Sequence, residues 1–172
     1  MTVVELICAA FIAASLPNAD VACEHMEMVV DASERYNVDP VVMTALIHIE
    51  SRWTPTARSR SNACGLTQIL PKYTSKFYGG RASCRQLYNP KLSIYKGTDI
   101  MGRYLKRYKR NYRRSLCSYN AGPRRCVRGH GPTKGTRYAR MVLKTARKLK
   151  WQMDRIKEEE GYTDASVPGC YE

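Results

Sequence analysis

A helix that ends in a single carboxylate constrains this chain more than any other stretch of its sequence. Asp39 and Pro40 predict the helix start, with Asp39 as the N-cap and Pro40 at the first helical position. Apolar residues then recur every three to four positions, as on the buried face of a helix. They are Val42, Ala45, Leu46 and Ile49. Glu50 follows at the last turn, so a buried helix should carry one acidic group at its carboxyl end.

The position of Glu50 predicts a raised pKa. The carboxyl end of a helix is electrically negative, and an apolar surround opposes ionisation, so both effects favour the protonated form of the carboxyl group. A carboxylic acid that stays protonated near neutral pH can donate a proton to a leaving oxygen, as a glycosidase acid does. The alternative is a structural role, in which Glu50 ends the helix in a salt bridge with Arg52 or Arg58.

The distribution of acidic residues favours the chemical role. Between Ser51 and Met153 the only acidic residue is Asp99, against 26 lysine and arginine residues in the same span. A glycosidase that uses two carboxylates would need its second one here. Asp99 has Lys96 and Arg103 as neighbours on a predicted helix, which favours a structural ion pair. Chemistry that uses one acidic residue therefore fits the sequence better.

The chain of 172 residues is long enough for one domain with its own core. We expect an apolar leader over residues 1–22, a globular domain over 23–157 and a polar C-terminal tail over 158–172. The leader has the length of a secretory signal, but it lacks a basic start and contains Glu5. Both a signal or anchor and an uncleaved N-terminal helix therefore remain open, and the run is short for a membrane span.

Seven cysteines are many for a protein of a reducing compartment. They stand at positions 8, 23, 64, 84, 117, 126 and 170. Removal of the leader would delete Cys8 and leave six, which is compatible with three disulfides. Sequence alone does not choose among the pairings, although a Cys64–Cys84 or a Cys117–Cys126 bond would close a local loop. No C-x-x-C pair is present and the three histidines lack ligand spacing, so neither a metal nor another cofactor is expected.

Apolar periodicity and breaker residues predict a mainly helical protein. Besides the helix before Glu50, we expect helices over about 24–36, 89–109, 115–121 and 136–155. Residues 54–70 are rich in turn-forming and short polar residues, which favours an irregular segment or a small β-hairpin.

Three short motifs resemble those of the soluble lytic transglycosylase domain, a relative of goose-type lysozyme. The first runs from Glu50 through Ser51, Trp53, Pro55 and Ala57 to Ser59, the second from Ala63 through Gly65, Leu66, Gln68 and Ile69 to Pro71, and the third from Tyr119 to Pro123. The resemblance covers residues 24–150 in the family's order and includes Asn89-Pro90, Gly97 and the segment that begins at Tyr138. Two positions depart from the pattern: Thr67 replaces a usual Met, and Lys134 a usual Glu.

The resemblance implies a mainly α, lysozyme-like fold and an activity on peptidoglycan. Glu50 would protonate the oxygen between N-acetylmuramic acid and N-acetylglucosamine and then activate the muramoyl 6-hydroxyl, which forms a 1,6-anhydro end. Ser51, Gln68, Tyr119, Asn120 and Tyr138 would line the substrate site, where hydroxyls and amides suit sugar ligands. Without the family resemblance, Tyr119-Asn120 would be interpreted as a helix end that satisfies its own backbone, and Gln68 as a residue that forms a strand-edge hydrogen bond.

The formal net charge of +14 fits the same interpretation, because peptidoglycan and its attached polymers are anionic. Arginines and lysines interleaved with tyrosines over residues 103–114 would also suit a nucleic-acid surface, although nucleic acid is not the expected partner. The sequence is also compatible with a hydrolytic muramidase and with a silent wall-binding protein. We expect an extracytoplasmic enzyme of the periplasm or cell wall, or a virion-associated one, and its protein partners would belong to a phage particle or to a secretion or conjugation machine.

Overall fold

The computed structural model describes residues 1–126 and 133–161, and within these ranges the chain is mainly helical, as predicted. The α-helices in chain order are α1 (Val3–Ala13), α2 (Ala19–Glu24), α3 (Met26–Arg35), α4 (Pro40–Ser51), α5 (Cys84–Leu87), α6 (Pro90–Arg107), α7 (Tyr112–Ala121) and α8 (Lys134–Glu159). Two short 3-10 helices lie at Pro71–Tyr73 and Pro123–Arg125. No helix of the described residues is long and apolar enough to span a bilayer.

Helix α4, which ends at the Glu50 turn, lies in the centre of the core. Asp39 caps it as predicted, because its Oδ1 accepts hydrogen bonds from the backbone amides of Val41 (2.9 Å) and Val42 (3.4 Å). Every residue from 41 to 48 is buried, so the helix is enclosed on more than the one face that periodicity predicted. Neighbours on several sides explain this, since α3 and α8 both pack against α4.

The N-terminal helix α1 also belongs to this core. Ile7 and Phe11 are fully buried in the same apolar cluster as the residues of α4. The ring of Phe11 meets the rings of His48 and Trp53 edge to face, at centroid distances of 5.4 and 5.9 Å. Residues 1–22, expected as a leader, thus pack against the domain expected over residues 23–157, while the boundary at residue 22 stays a prediction.

The segment between α4 and α5 contains paired backbone instead of regular strands. Cys64 forms antiparallel bridges with both Arg58 and Ile69, which agrees with the irregular or hairpin segment predicted near residues 54–70. Gly97 lets α6 approach this segment closely, because a Cβ atom there would lie 2.6 Å from the side chain of Thr67. Helix α6 thereby fixes the back of the Gly65–Pro71 motif.

Three disulfides join cysteines that are near in sequence: Cys8–Cys23, Cys64–Cys84 and Cys117–Cys126. The last two are the local pairs that the sequence suggested. The first was not anticipated, because Cys8 was counted with the leader. Cys170, His130 and most of the expected 158–172 tail lie outside the described residues.

Helix bounds differ from the predictions at three places. The helix expected over 24–36 is divided at His25, whose backbone leaves helical geometry between α2 and α3. Helix α7 begins at Tyr112 and not near 115, because Asn111 supplies an N-cap by accepting from the amide of Arg114 at 2.9 Å. Helix α8 runs from Lys134 to Glu159, beyond the predicted 136–155.

Candidate active site

The turn after Glu50 is fixed from several sides. Helix α4 stops at Arg52, which takes a left-handed backbone conformation (φ 49°), and Trp53 continues in the same region (φ 64°). Non-glycine residues rarely adopt this conformation without support. Here the Nδ2 of Asn18 donates to the Arg52 carbonyl at 2.6 Å, and the Trp53 side chain is almost completely buried. Glu50 therefore stands on a helix end with little freedom to move.

Glu50 is only partly exposed, and burial raises the pKa of its carboxyl group from 4.5 to about 7. The Tyr138 hydroxyl and the positive charge of Lys134 act in the opposite direction and lower that pKa by smaller amounts. The prediction of a raised pKa is thus confirmed, with loss of hydration as its main cause. Near neutral pH the group exists in comparable protonated and ionised fractions, as a residue that serves as acid and then as base requires.

Two tyrosines approach Glu50 from the last two helices. Tyr138 on α8 is buried and Tyr119 on α7 is partly buried near the carboxylate, and loss of hydration together with the Glu50 charge raises the pKa of each phenol well above 10. Both hydroxyls therefore remain protonated donors at neutral pH. The Tyr138 hydroxyl is buried and interacts with the Glu50 carboxyl group, and it forms no hydrogen bond with any other described residue.

Tyr119 connects α7 to the motif around Gln68. Its hydroxyl donates to the backbone carbonyl of Thr67 at 2.8 Å. Thr67 is fully buried, and its own hydroxyl donates to the Ser93 carbonyl on α6 at 2.8 Å. The threonine that replaces the family's usual Met therefore joins α6 and α7 through the loop, and its side chain faces the protein interior instead of a groove.

Gln68 holds its loop through its side-chain amide. Its Nε2 donates to the backbone carbonyls of Ala57 (3.0 Å) and Gly65 (2.9 Å), and its backbone is left-handed (φ 50°). The amide oxygen accepts no hydrogen bond from a described residue and is left for a ligand. Gln68 thus makes structural hydrogen bonds within a loop and not at the edge of a strand, and it keeps one unused acceptor.

The remaining two predicted site residues differ in exposure. Ser51 is buried, its hydroxyl donates to the Ile47 carbonyl at 3.2 Å, and it accepts from the Trp53 amide at 3.2 Å. Its visible role is to shape the turn that carries Glu50. Asn120 is exposed next to Tyr119, and its side chain makes no hydrogen bond with the described part of the chain.

Asp99 is used structurally, as the sequence indicated. It accepts from Arg103 Nε at 2.8 Å and from the Tyr78 amide at 2.8 Å. Within residues 1–126 and 133–161, Glu50 forms no ion pair with Arg52 or Arg58, so the salt-bridged alternative is not realised there. The same ranges hold no group of three potential metal ligands.

Sequence reasoning missed the residues that support the site from a distance. Asn18 and Phe11 hold the Glu50 turn from the N-terminal 22 residues, and Ser93 anchors Thr67 from α6. Lys96, fully buried on α6, donates to the carbonyls of Thr74, Tyr78 and Gly80 and so orders the loop before α5. No signal in the sequence indicates this last contact, because Lys96 has Ser93 and Asp99 as neighbours on its helix face and is interpreted there as part of a structural ion pair.

Comparison with known proteins places the site in a family context. Residues 27–141 match the family described as Transglycosylase SLT domain. A membrane-bound lytic murein transglycosylase E from Buchnera aphidicola is 32% identical over 88 residues, and a membrane-bound lytic murein transglycosylase C from Edwardsiella ictaluri is 36% identical over 86 residues. These matches cover 48% and 46% of this chain, but only 40% and 24% of the two relatives.

Solved structures share the fold at low sequence identity. An inactive mutant of the lytic transglycosylase Slt from Pseudomonas aeruginosa superposes with a TM-score of 0.67 at 23% identity, over 76% of this chain and 24% of that one. The 70 kDa soluble lytic transglycosylase from Escherichia coli gives 0.61 at 23% identity, over 72% and 24%. The predicted lysozyme-like helical fold is confirmed by these likenesses.

Proposed function

The chain belongs to the Transglycosylase SLT domain family, and we propose that it is a peptidoglycan lytic transglycosylase with Glu50 as its catalytic residue. The observation that carries this proposal is the carboxyl group of Glu50, which is half-protonated near neutral pH at the end of a rigid helix. Its substrate would be the glycan strand, and the bond cleaved would be the β-1,4 link between N-acetylmuramic acid and N-acetylglucosamine.

Glu50 can serve both halves of such a reaction. The protonated carboxyl gives its proton to the glycosidic oxygen as the bond to the muramoyl anomeric carbon breaks. The resulting carboxylate then takes the proton of the muramoyl 6-hydroxyl, whose oxygen closes onto the same carbon. Glu50 ends protonated, as it began, and no water is consumed. A pKa of about 7 suits this cycle because neither protonation state is costly to reach.

The surroundings of Glu50 favour this route over one with a second carboxylate. No acidic side chain of the described residues contributes to the pKa of Glu50, and Asp99 is occupied by Arg103 and by the Tyr78 amide. A protein nucleophile or a carboxylate that activates water would need to lie within about 10 Å of the acid. The acetamido group of the substrate would instead stabilise the positive charge at the anomeric carbon.

The other predicted site residues would bind and orient the sugars. The Gln68 amide oxygen has hydrogen-bonding capacity that the described protein leaves unused, Asn120 is exposed at the end of α7, and Tyr138 would orient the Glu50 carboxyl group toward the sugar. Tyr119 and Ser51 would act mainly by fixing the loop and the turn on which Gln68 and Glu50 stand. No metal or cofactor enters the proposed reaction.

The decisive experiment is digestion of purified peptidoglycan followed by mass spectrometry of the soluble fragments. The proposal expects muropeptides that end in 1,6-anhydro-muramic acid, one water lighter than the reducing form. Reducing ends would indicate a hydrolytic muramidase instead. If no fragments are released, and if Glu50→Gln binds the wall as tightly as the natural protein does, the protein is a silent wall-binding protein.

We propose an extracytoplasmic setting, in the periplasm, at the cell wall or in a virion. Three disulfides support it, since such bonds persist in oxidising compartments. In either setting the enzyme would open the wall locally, for phage entry or for a secretion or conjugation machine. Identification of the proteins that copurify with it from infected and uninfected cells would distinguish the two.

A further inference from the structure

A basic cleft of about 610 Å³ lies on a different face of α7 and α8 from the side chains that approach Glu50. It is formed by the end of α6, the start of α7, the 3-10 helix at Pro123–Arg125 and the start of α8. Among the described lining residues five are cationic: Arg107, Lys109, Arg113, Arg114 and Arg125. None is acidic, and the sequence has no acidic residue between Asp99 and Asp154.

Two helix starts point positive charge toward the same cleft. Asn111, the N-cap of α7, and Thr133, the N-cap of α8, both line it. The start of a helix attracts anions through its free amides and its dipole, so acidic residues are usual there. Helix α7 instead has Arg113 and Arg114 in its first turn, and both line the cleft. Helix stability disfavours this placement, which indicates a requirement for positive charge at the cleft.

Arg114 is held in place but lacks a partner for one donor. Its guanidinium carbon lies 4.5 Å from the centroid of the Tyr108 ring, whose hydroxyl in turn accepts from Ser118 Oγ at 3.0 Å. The Arg114 Nε atom is buried and donates to no described residue. A buried guanidinium nitrogen without an acceptor is costly, so a small movement of Arg114 toward an oxyanion in the cleft would be favourable.

A second basic cleft, of about 410 Å³, lies on the other side of the segment 106–110. Three cations line it beside an ion pair that also faces the cleft: Arg35, Lys106 and Arg110, with Arg103 paired to Asp99. The segment between the clefts therefore presents cations to both sides. Two neighbouring cationic clefts suit a chain of repeated anionic groups better than one small anion.

We propose that the first cleft binds the phosphate groups of a phosphodiester-linked wall polymer and so holds the protein on the wall away from the cleavage site. The identity of this polymer as a wall component rests on the proposed function. A single-stranded nucleic acid fits less well, because proteins bind single strands by stacking bases on free aromatic rings. Tyr108 is the only aromatic residue among the described cleft residues, and its ring already stacks on Tyr104 and lies under Arg114.

The test compares two double variants that remove the same charge. Arg107→Gln with Arg113→Gln alters exposed residues of the cleft, and Lys144→Gln with Arg147→Gln alters exposed residues of α8 outside it. Binding of fluorescent poly(glycerol phosphate) is measured between 50 and 200 mM salt, on the full chain with its disulfides intact. We expect the cleft variant to bind at least about tenfold more weakly with a shallower salt dependence, and the control to change less than about threefold.

Four outcomes would overturn the proposal. Equal weakening in both variants would indicate diffuse attraction by net charge. Displacement of the polymer by inorganic phosphate at equal phosphate concentration would indicate a small-anion site. Tighter, cleft-dependent binding of a single-stranded or a duplex oligonucleotide would indicate nucleic acid. Unchanged binding in the cleft variant would exclude the cleft as the binding site of the polymer. Glu50→Gln should bind the polymer normally, and the cleft variant should still cleave peptidoglycan stripped of phosphate polymers. Failure of this proposal is therefore distinguishable from failure of the proposed enzymatic function.

Discussion

Replacement of Glu50 by Gln separates a catalytic acid from a structural helix end, because the two roles predict opposite changes in stability. Folding raises the pKa of this carboxyl group from 4.5 to about 7. A raised pKa means that the folded state favours the protonated form. The ionisation of Glu50 therefore does not lower the unfolding free energy below pH 4.5, and it lowers that free energy progressively as the pH rises to 7. For this shift the loss is about 3 kcal/mol at pH 7 and above.

Glu50→Gln keeps the shape of the side chain and removes this loss. We expect the variant to exceed the natural protein in unfolding free energy by up to about 3 kcal/mol above pH 7, with the difference vanishing near pH 4.5. For a chain of this size that corresponds to roughly 6–12 °C in melting temperature at pH 8. Release of anhydro-muropeptides should fall at least about 10²-fold, because one residue serves as both acid and base.

The assay is thermal unfolding from pH 4.5 to 8.5, with anhydro-muropeptide release measured on the same preparations. Glu34→Gln, on an exposed position of α3, is the matched control for the change in net charge and should alter neither quantity. A Glu50→Gln variant that is less stable at every pH would refute the burial argument. Wall cleavage within a few-fold of normal would remove Glu50 from its proposed catalytic role.

Three further changes test other parts of the structure. Activity should decline as the pH rises through about 7, because Glu50 loses its proton there. Lys134→Gln removes a charge that lowers the pKa of Glu50, so the decline in the pH-rate profile should move to higher pH. An unchanged profile would contradict this. Phe11→Ala should lower the unfolding free energy by about 3–5 kcal/mol in denaturant titration, because the ring is fully buried; a loss under about 1 kcal/mol would mean that α1 is dispensable. Replacement of Cys117 and Cys126 by Ser should lower the unfolding free energy by about 2–4 kcal/mol. Reductant should then no longer lower the stability through this bond.

Local signals in the sequence were sufficient to predict the helices that carry the site. The Asp39-Pro40 and Asn89-Pro90 pairs predict helix starts through side-chain capping, and both caps form. The raised pKa of Glu50 followed from an apolar helix and a negative helix end, which are also local properties. The motif resemblance added Tyr138, which is far from Glu50 in the sequence and which no rule of spacing connects to it.

Contacts between distant segments could not be predicted from local sequence signals. An apolar run such as residues 3–16 has the same composition whether it is a signal or a packed helix, so the contact of Phe11 with Trp53 was not predictable. The bond from Thr67 to Ser93 depends on how closely α6 approaches the loop. That distance is set by Gly97, whose role is visible only when the two elements are placed together.

The backbone around the proposed acid explains why these distant contacts matter for the site. Arg52, Trp53 and Gln68 all adopt left-handed conformations that cost free energy for residues with a side chain. Each is held by a specific contact: Asn18 binds the Arg52 carbonyl, Phe11 packs on Trp53, and the Gln68 side-chain amide binds the backbone of its own loop. Because two of these three contacts come from the N-terminal 22 residues, the geometry at Glu50 depends on that segment being docked in the core.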